Sequence, residues 1–208
     1  MIGLEIAGAV ATATLARPPV NAIDEEWIAR LHEVIQEAES DHAVSVLLIR
    51  SKERTFSAGA DLALMRSRYG TAEGRAQMVA LAREMQRAYA RLEKSRLVSI
   101  AEIGGAAMGG GLELALACDL RIASETAKLG LPEARLGLIP GAGGTQRLTL
   151  LCGEAVSKRL ILGGEVVDGR EAARLGIVQW AVPATELQTR GTALAEQVAA
   201  LPAASLSA

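Results

Sequence analysis

The sequence predicts an α/β domain with largely parallel strands. Three observations lead to this prediction: short aliphatic runs alternate with segments of helical periodicity, glycine-rich loops separate them, and the apolar residues are mostly aliphatic. Half of the 208 residues are hydrophobic, yet only one Phe, two Tyr and two Trp occur among them. We therefore expect one domain, residues 1–208, with a core of Ala, Leu, Val and Ile side chains.

The strands are predicted from short apolar segments bounded by polar or turn residues. Residues 10–15 alternate apolar and small polar side chains, whereas 44–49 form a continuous aliphatic run that suits a strand covered on both faces. We expect further strands at 97–103 and 177–182, and two short ones at 120–123 and 127–129.

The helices are predicted from apolar residues that recur at helical spacing. Asp24 can cap a helix that continues to about Glu39. Further helices are expected at 73–94, 112–118, 145–151, 154–162, 168–175 and 184–201, with a short helical turn after Pro132 and a frayed end at 201–208. Alternating strands and helices favour a parallel sheet.

Composition and charge exclude several classes of partner. The net charge is −2 and the basic residues are scattered, whereas a nucleic-acid-binding protein needs a basic patch. No apolar stretch reaches the ~20 residues of a membrane span, and no signal peptide is evident, because Glu5 interrupts the first segment. We therefore expect a cytoplasmic protein that binds neither nucleic acid nor membrane.

The few histidines and cysteines argue against metal sites and nucleophilic hydrolysis. His32 and His42 both belong to the region of the N-terminal helix, so no base is placed beside a candidate nucleophile. Cys118 and Cys152 are far apart in apolar settings and are expected to be buried free thiols. These residues show no metal-ligand spacing. No Gly-x-Gly-x-x-Gly motif follows the first strand, so a dinucleotide site is not expected either.

The first segment that suggests chemistry is MGGGLE at 108–113. Three glycines directly before a predicted helix leave backbone N–H groups exposed at its positive end, where an anion is favoured. Glu113 follows Gly110 by nearly one helical turn, so its carboxylate can share a face with that N–H group. Each half alone has an ordinary explanation, since glycines mark turns and Glu is common near helix starts.

The second segment is FSAGADL at 56–62, directly after an aliphatic strand. In an open α/β sheet, ligands gather beyond the carboxyl ends of the strands, where this loop and the loop after 97–103 would both emerge. Two such loops can each contribute one N–H group to an oxyanion hole. The alternative is a simple turn in which Asp61 caps a helix.

The third segment runs from LPE at 131–133 to a second glycine-rich loop at 140–144. Pro132 restricts the backbone before Glu133 and so holds this carboxylate on a stiff turn. The glycine loop can form a phosphate cradle, but it lacks the Gly-Lys-Ser/Thr ending of a P-loop. We therefore exclude a nucleoside triphosphate site.

Taken in this order, the three segments resemble the crotonase family, which includes enoyl-CoA hydratases and isomerases. The diagnostic stretches are FSAGADL at 56–62, GGGLELALACDL at 109–120, and LPE through GAGGTQRL at 131–148. The resemblance implies a spiral of ββα units at 1–182, followed at 183–208 by the start of a C-terminal helical region, which we expect to be truncated relative to the family. It also implies a homotrimer or a hexamer built as a dimer of trimers.

The resemblance assigns roles to individual residues. The oxyanion-hole amides fall on Ala60 and Gly110, and the acid/base pair falls on Glu113 and Glu133. Substrate contacts fall on Ala22, near the adenosine portion of coenzyme A, and on the residues that touch the acyl chain and coenzyme A, namely Ala58, Ala60, Asp61, Leu62 and Gly110.

The implied reaction is the reversible addition of water to a trans-2-enoyl-CoA thioester. Two amides would stabilise the enolate, while two carboxylates would deprotonate water and protonate C2. Coenzyme A is part of the substrate, so no cofactor is expected. Isomerases of the family commonly need only the glutamate at the Glu133 position, so the presence of both favours a hydratase.

Two alternatives stay open: an enoyl-CoA isomerase, and a non-catalytic relative that binds acyl-CoA, since family members normally continue beyond residue 208. The sequence also departs from the family pattern at two positions of one strand. Val98 replaces the usual proline, and Glu102 replaces a small apolar residue. A buried, unpaired carboxylate is costly, so we expect Glu102 to be exposed or paired.

Overall fold

The computed structural model describes residues 1–202, in which two β-sheets are packed with helices. The strands are β1 (Ile2–Ala7), β2 (Val10–Leu15), β3 (Val46–Ser51), β4 (Val98–Ile103), β5 (Ala107–Met108), β6 (Leu120–Ser124), β7 (Lys128–Gly130), β8 (Val166–Asp168) and β9 (Trp180–Val182). The helices are α1 (Glu25–Ser40), α2 (Leu62–Arg68), α3 (Ala72–Glu93), α4 (Gly110–Leu116), α5 (Gly144–Ile161), α6 (Gly169–Arg174) and α7 (Leu187–Ala199), with a 3-10 helix at Pro132–Leu136.

The larger sheet is mainly parallel, as predicted. Its strand order is β1-β2-β3-β4-β6-β9, and only the β1–β2 hairpin is antiparallel. The register aligns Val46 of β3 with Val10 on one side and Val98 on the other. A smaller sheet has the order β5-β7-β8, in which β5 and β7 are parallel and β8 is antiparallel. The carboxyl ends of β3 and β4 therefore lie side by side.

The helices mostly agree with the prediction. Asp24 caps α1 through a 2.9 Å hydrogen bond from the backbone N–H of Trp27. Gly153 has φ 81° and ψ 167°, so it interrupts α5 and produces the two helical halves that the sequence predicts. None of the helices among residues 1–202 combines the length and the apolar character that a membrane span requires.

Several boundaries differ from the predicted ones. The strands β1, β5 and β8 are not predicted, because β1 is an edge strand with mostly exposed residues and the other two contain only two and three residues. The helix predicted at 112–118 begins at Gly110, so two of the three glycines lie inside its first turn. The prediction for 201–208 falls, from residue 203 onward, outside the described residues.

The sheet is covered on both faces, as the continuous aliphatic run of β3 predicts. Leu47 and Ile49 belong to the main core with α1, whereas Val46 and Leu48 pack on the other side against Ala195 of α7. Glu102 of β4 lies beneath α7 and is paired, because Arg50 Nη2 is 3.0 Å from its Oε2. The expectation that Glu102 is exposed or paired is therefore confirmed.

Candidate active site

Two loops that leave neighbouring strands are joined by a short parallel pairing. The N–H group of Ser57 donates to the Ala106 carbonyl oxygen at 3.1 Å, and that of Met108 donates to the Ser57 oxygen at 3.0 Å. A Cβ atom on Gly59, which has φ +84°, would lie 2.7 Å from the Met108 carbonyl oxygen. The close approach of the two loops therefore requires glycine at position 59.

Ala60 and Gly110, whose backbone amides are the candidate oxyanion donors, line a shared cavity. Ile23 pairs with the neighbours of Ala60, since Ile23 N donates to Gly59 O at 2.9 Å and Asp61 N donates to Ile23 O at 3.0 Å. Gly110 is the first residue of α4, where an N–H group has no intrahelical acceptor. Within residues 1–202, neither amide has an acceptor, so both can donate to a ligand.

Glu113 lies in the first turn of α4 and is only 2% exposed. Its Oε1 accepts hydrogen bonds from the backbone N–H groups of Ala142 and Gly144, both at 2.8 Å. Burial raises the pKa of this carboxyl, while the two amides and the nearby charge of Arg147 act in the opposite direction. The second glycine loop thus cradles an anion, which is the carboxylate of Glu113 itself.

Glu133 lies on the 3-10 helix that Pro132 begins. Its Oε2 is buried and has no hydrogen-bond partner among the described residues. Burial, assisted by the negative charge of Glu113, raises the pKa of Glu133 to about 7. A Cβ atom on Gly109 would lie 2.9 Å from Glu133 Oε1, so the glycine gives this carboxylate room beside α4.

The two glutamates and the two candidate amides line one cavity of about 390 Å³. Apart from Tyr69 and Arg75, the remaining lining side chains in the described chain are apolar. The part of the lining from α2 and α3 includes Met65, Met78, Leu81 and Met85, and the part after Pro132 includes Leu136 and Ile139. The sequence did not identify this lining, because helical spacing alone does not tell which face of α3 meets the loops.

The predicted substrate contacts fall into two groups. Ala58, Ala60, Leu62 and Gly110 line the cavity, whereas Ala22 and Asp61 lie outside the lining found among residues 1–202. Asp61 Oδ1 caps α2 by accepting hydrogen bonds at 2.9 and 3.1 Å, which is the alternative explanation that the sequence left open. The carbonyl oxygen of Ala22 accepts a 2.6 Å hydrogen bond from Arg17 Nη1.

A family model described as "Enoyl-CoA hydratase/isomerase" matches residues 5–208. The chain belongs to this family. Among relatives of the enoyl-CoA hydratase/isomerase family, a "Probable enoyl-CoA hydratase" of Bacillus subtilis is 42% identical over 177 residues, covering 85% of this chain and 67% of the relative. A "Short-chain-enoyl-CoA hydratase" of Clostridium acetobutylicum is 39% identical over 197 residues, covering 94% and 74%. The predicted family membership is confirmed.

Solved structures with the same architecture cover nearly the whole chain. The structure of Pseudomonas aeruginosa DspI has a TM-score of 0.92 and 39% identity, covering 99% of this chain and 83% of that one. An enoyl-CoA hydratase from Bacillus anthracis has a TM-score of 0.92 and 32% identity, covering 99% and 79%. The crotonase fold predicted from the resemblance is thereby confirmed.

Proposed function

We propose that this chain catalyses the reversible hydration of a trans-2-enoyl-CoA thioester. The observation that supports this most is that Glu113, Glu133, Ala60 and Gly110 line one largely apolar cavity, where the amides of Ala60 and Gly110 have no acceptor among residues 1–202. The two relatives described above are named as enoyl-CoA hydratases, which supports the same class of substrate. Coenzyme A enters as part of the substrate, and the proposed reaction needs no further group.

The two amides form the proposed oxyanion hole. When water adds at C3, negative charge develops on the thioester oxygen as an enolate forms. The N–H groups of Ala60 and Gly110 are free to donate to that oxygen, and their positions are fixed by the pairing of the two loops. Because the donors are held in place before the reaction, no reorganisation is needed as the charge forms.

We assign the base to Glu113 and the acid to Glu133. Two amide donors favour the ionised form of Glu113, whose Oε2 accepts no hydrogen bond from residues 1–202 and is available to a water molecule. Glu133 Oε2 has no hydrogen-bond partner in the described part of the chain, and the pKa of this carboxyl is raised to about 7, so it can hold a proton. Hydroxide bonds to C3 as the water's proton passes to Glu113, and the Glu133 proton bonds to C2.

Because the cavity lining is largely apolar, we propose that the part of the acyl group beyond the enoyl carbons is an apolar chain. Ala58 and Leu62 are the proposed contacts at the loop side, where both line the cavity. Ala22 and Asp61 lie outside the lining. They are therefore proposed to contact coenzyme A beyond the cavity.

We also propose that the chain assembles as a homotrimer or a dimer of trimers, as the family resemblance implies. Light scattering coupled to size-exclusion chromatography would give three or six times the chain mass. A monomer at micromolar concentration would contradict this assembly.

The test is steady-state hydration of crotonyl-CoA, followed by the loss of enoyl absorbance. We expect turnover above background by the wild-type chain. Calorimetric binding of the thioester without any absorbance loss would overturn the hydratase and favour the non-catalytic acyl-CoA binder. Double-bond migration that persists in Glu113→Ala, with no hydration by the wild-type chain, would favour the isomerase instead.

A further inference from the structure

Arg147 connects the end of α3 to the loop that holds Glu113. Its Nε and Nη2 donate to the two carboxylate oxygens of Glu93 at 2.7 and 2.6 Å, which is a bidentate pair. Its Nη1 donates to the carbonyl oxygen of Ala142 at 2.8 Å. The arginine side chain is only 10% exposed, so the guanidinium is fixed in one orientation.

Ala142, which accepts a hydrogen bond from Arg147, also donates one to Glu113. The N–H group of Ala142 is 2.8 Å from Glu113 Oε1, and its carbonyl oxygen is 2.8 Å from the guanidinium of Arg147. Gly143 has φ +109°, and a Cβ atom there would lie 1.9 Å from Arg147 Nη1. The loop is therefore shaped to admit the arginine on one side and to present two N–H groups to Glu113 on the other.

We infer that Arg147, oriented by Glu93, is a positioning residue that holds residues 142–144 so that their N–H groups orient the Glu113 carboxylate. This inference rests on the proposed role of Glu113 as the base. Arg147 does not line the cavity, so it acts on the reaction only through the loop and Glu113. Its charge also lowers the pKa of Glu113 against the effect of burial.

A merely structural role is the alternative, in which the pair only fastens α3 to α5. If the role is only structural, loss of Arg147 should lower the stability of the protein and reduce kcat by the same factor whether or not Glu113 is present. A positioning role requires that the effect of Arg147 depend on Glu113. Arg91 offers a matched control. It also lies on α3, and it joins that helix to α1 through an ion pair with Glu39 and a hydrogen bond to the His32 carbonyl oxygen.

The first experiment measures hydration by Arg147→Gln, Arg91→Gln and their combinations with Glu113→Gln. We expect Arg147→Gln to lower kcat by roughly 10- to 100-fold with a smaller change in KM, because the base is misplaced. Arg91→Gln should keep the wild-type kcat. In the Glu113→Gln background, Arg147→Gln should change the residual rate by less than about threefold, since effects acting through one group are not additive.

The second experiment reports on Glu113 without requiring activity. Ionisable groups that face it from the packed elements are Glu133, Tyr89 and Arg147. With ¹³Cδ-labelled glutamate, the Glu113 signal is identified by its loss in Glu113→Gln and then titrated by NMR. Arg147→Gln should raise the pKa of Glu113, because both the amide donors and the cation that favour the carboxylate are displaced or removed.

The two experiments separate the inference from the proposed function. An inactive wild-type chain in which Arg147→Gln still raises the Glu113 pKa would overturn the hydratase and keep the positioning role. An active wild-type chain in which Arg147→Gln leaves both kcat and that pKa unchanged would overturn the positioning role. If Arg147→Gln does not fold, Glu93→Gln is the second variant, because it keeps the arginine but removes the charge of its partner. It should change kcat and the Glu113 pKa in the same directions by smaller amounts. If neither changes, the positioning role is overturned.

Discussion

Glu113 and Glu133 share one cavity, yet the protein treats their carboxylates differently. Two backbone donors hold Glu113, whereas Glu133 Oε2 is buried without a partner among residues 1–202. Burial raises the pKa of both groups, and it raises that of Glu133 to about 7. A carboxylate held by two N–H donors and a carboxyl group whose pKa is raised to about 7 are suited to act as a base and an acid at neutral pH.

This difference predicts a bell-shaped pH profile for hydration. Glu133 must be protonated, so kcat/KM should fall as pH rises through about 7. Glu113 must be ionised, so kcat/KM should also fall as pH drops through its pKa, which lies above its ordinary 4.5. Initial rates between pH 5 and 9 would measure both limbs.

Glu133→Gln provides the matching variant. Its residual rate should lack the limb near pH 7, because the titrating acid has been removed. A wild-type rate that instead rises through pH 7, or a limb that persists in Glu133→Gln, would contradict the assignment of Glu133 as the acid.

The pairing of the two glutamates could be predicted from the sequence, but their environments could not. The segment patterns and the family resemblance place Glu113 and Glu133 together, as the structure does. That Glu133 Oε2 is buried without a partner among the described residues depends on how distant segments pack around it. The sequence suggested that the second glycine loop can form a phosphate cradle, whereas in the structure the loop donates to the Glu113 carboxylate, 29 residues earlier in the chain than Ala142.

At the scale of elements, α7 covers a buried ion pair. The helix packs against β3, β4 and β6, directly over Glu102 and Arg50. Arg50 Nη2 also donates to Thr192 Oγ1 at 2.9 Å, so the ion pair between β3 and β4 is linked to α7 as well. Gly191 is buried, and a Cβ atom there would lie 2.1 Å from Glu102 Oε2. The glycine therefore makes room for a carboxylate where the family usually has a small apolar residue.

Gly191→Ala is expected to lower the free energy of unfolding by about 1–3 kcal/mol, because the added methyl group overpacks this site. The loss should exceed the gain of roughly 0.5–1 kcal/mol that alanine brings within a helix. Urea unfolding followed by circular dichroism would measure it. In a Glu102→Ala background the same substitution should cost less, and an equal cost in both backgrounds would contradict the close contact.

Glu102 should also make stability depend on pH. Burial outweighs the attraction of Arg50 and raises the pKa of Glu102 from 4.5 to about 7. The folded state therefore holds a proton that the unfolded state has lost, so stability falls as pH rises from 4.5 towards 7, by at most ~1.4 kcal/mol per pH unit. Glu102→Gln should reduce the slope of Tm against pH in this range without removing it, because Glu133 and Glu113 also have raised pKa values. An unchanged slope would contradict the raised pKa of Glu102.

For the whole molecule, the order of elements predicted a parallel α/β sheet, and the structure has one. The spiral came only from the family resemblance, because the second sheet is built from strands of two or three residues that leave no periodic pattern. The pairing of the loops at Ser57 and Ala107 joins segments 50 residues apart and has no local sequence signal. That long-range pairing brings the amides of Ala60 and Gly110 to one cavity.

The most direct test of the central claim is a double-mutant cycle on Glu113→Gln and Glu133→Gln, with crotonyl-CoA hydration as the readout. Each substitution should lower kcat by about 10²- to 10⁴-fold, and the double variant should lose little more than the worse single variant. Glu26→Gln, at an exposed position of α1, should keep the wild-type kcat. Near-wild-type hydration by either single variant would contradict a reaction centre built on this pair.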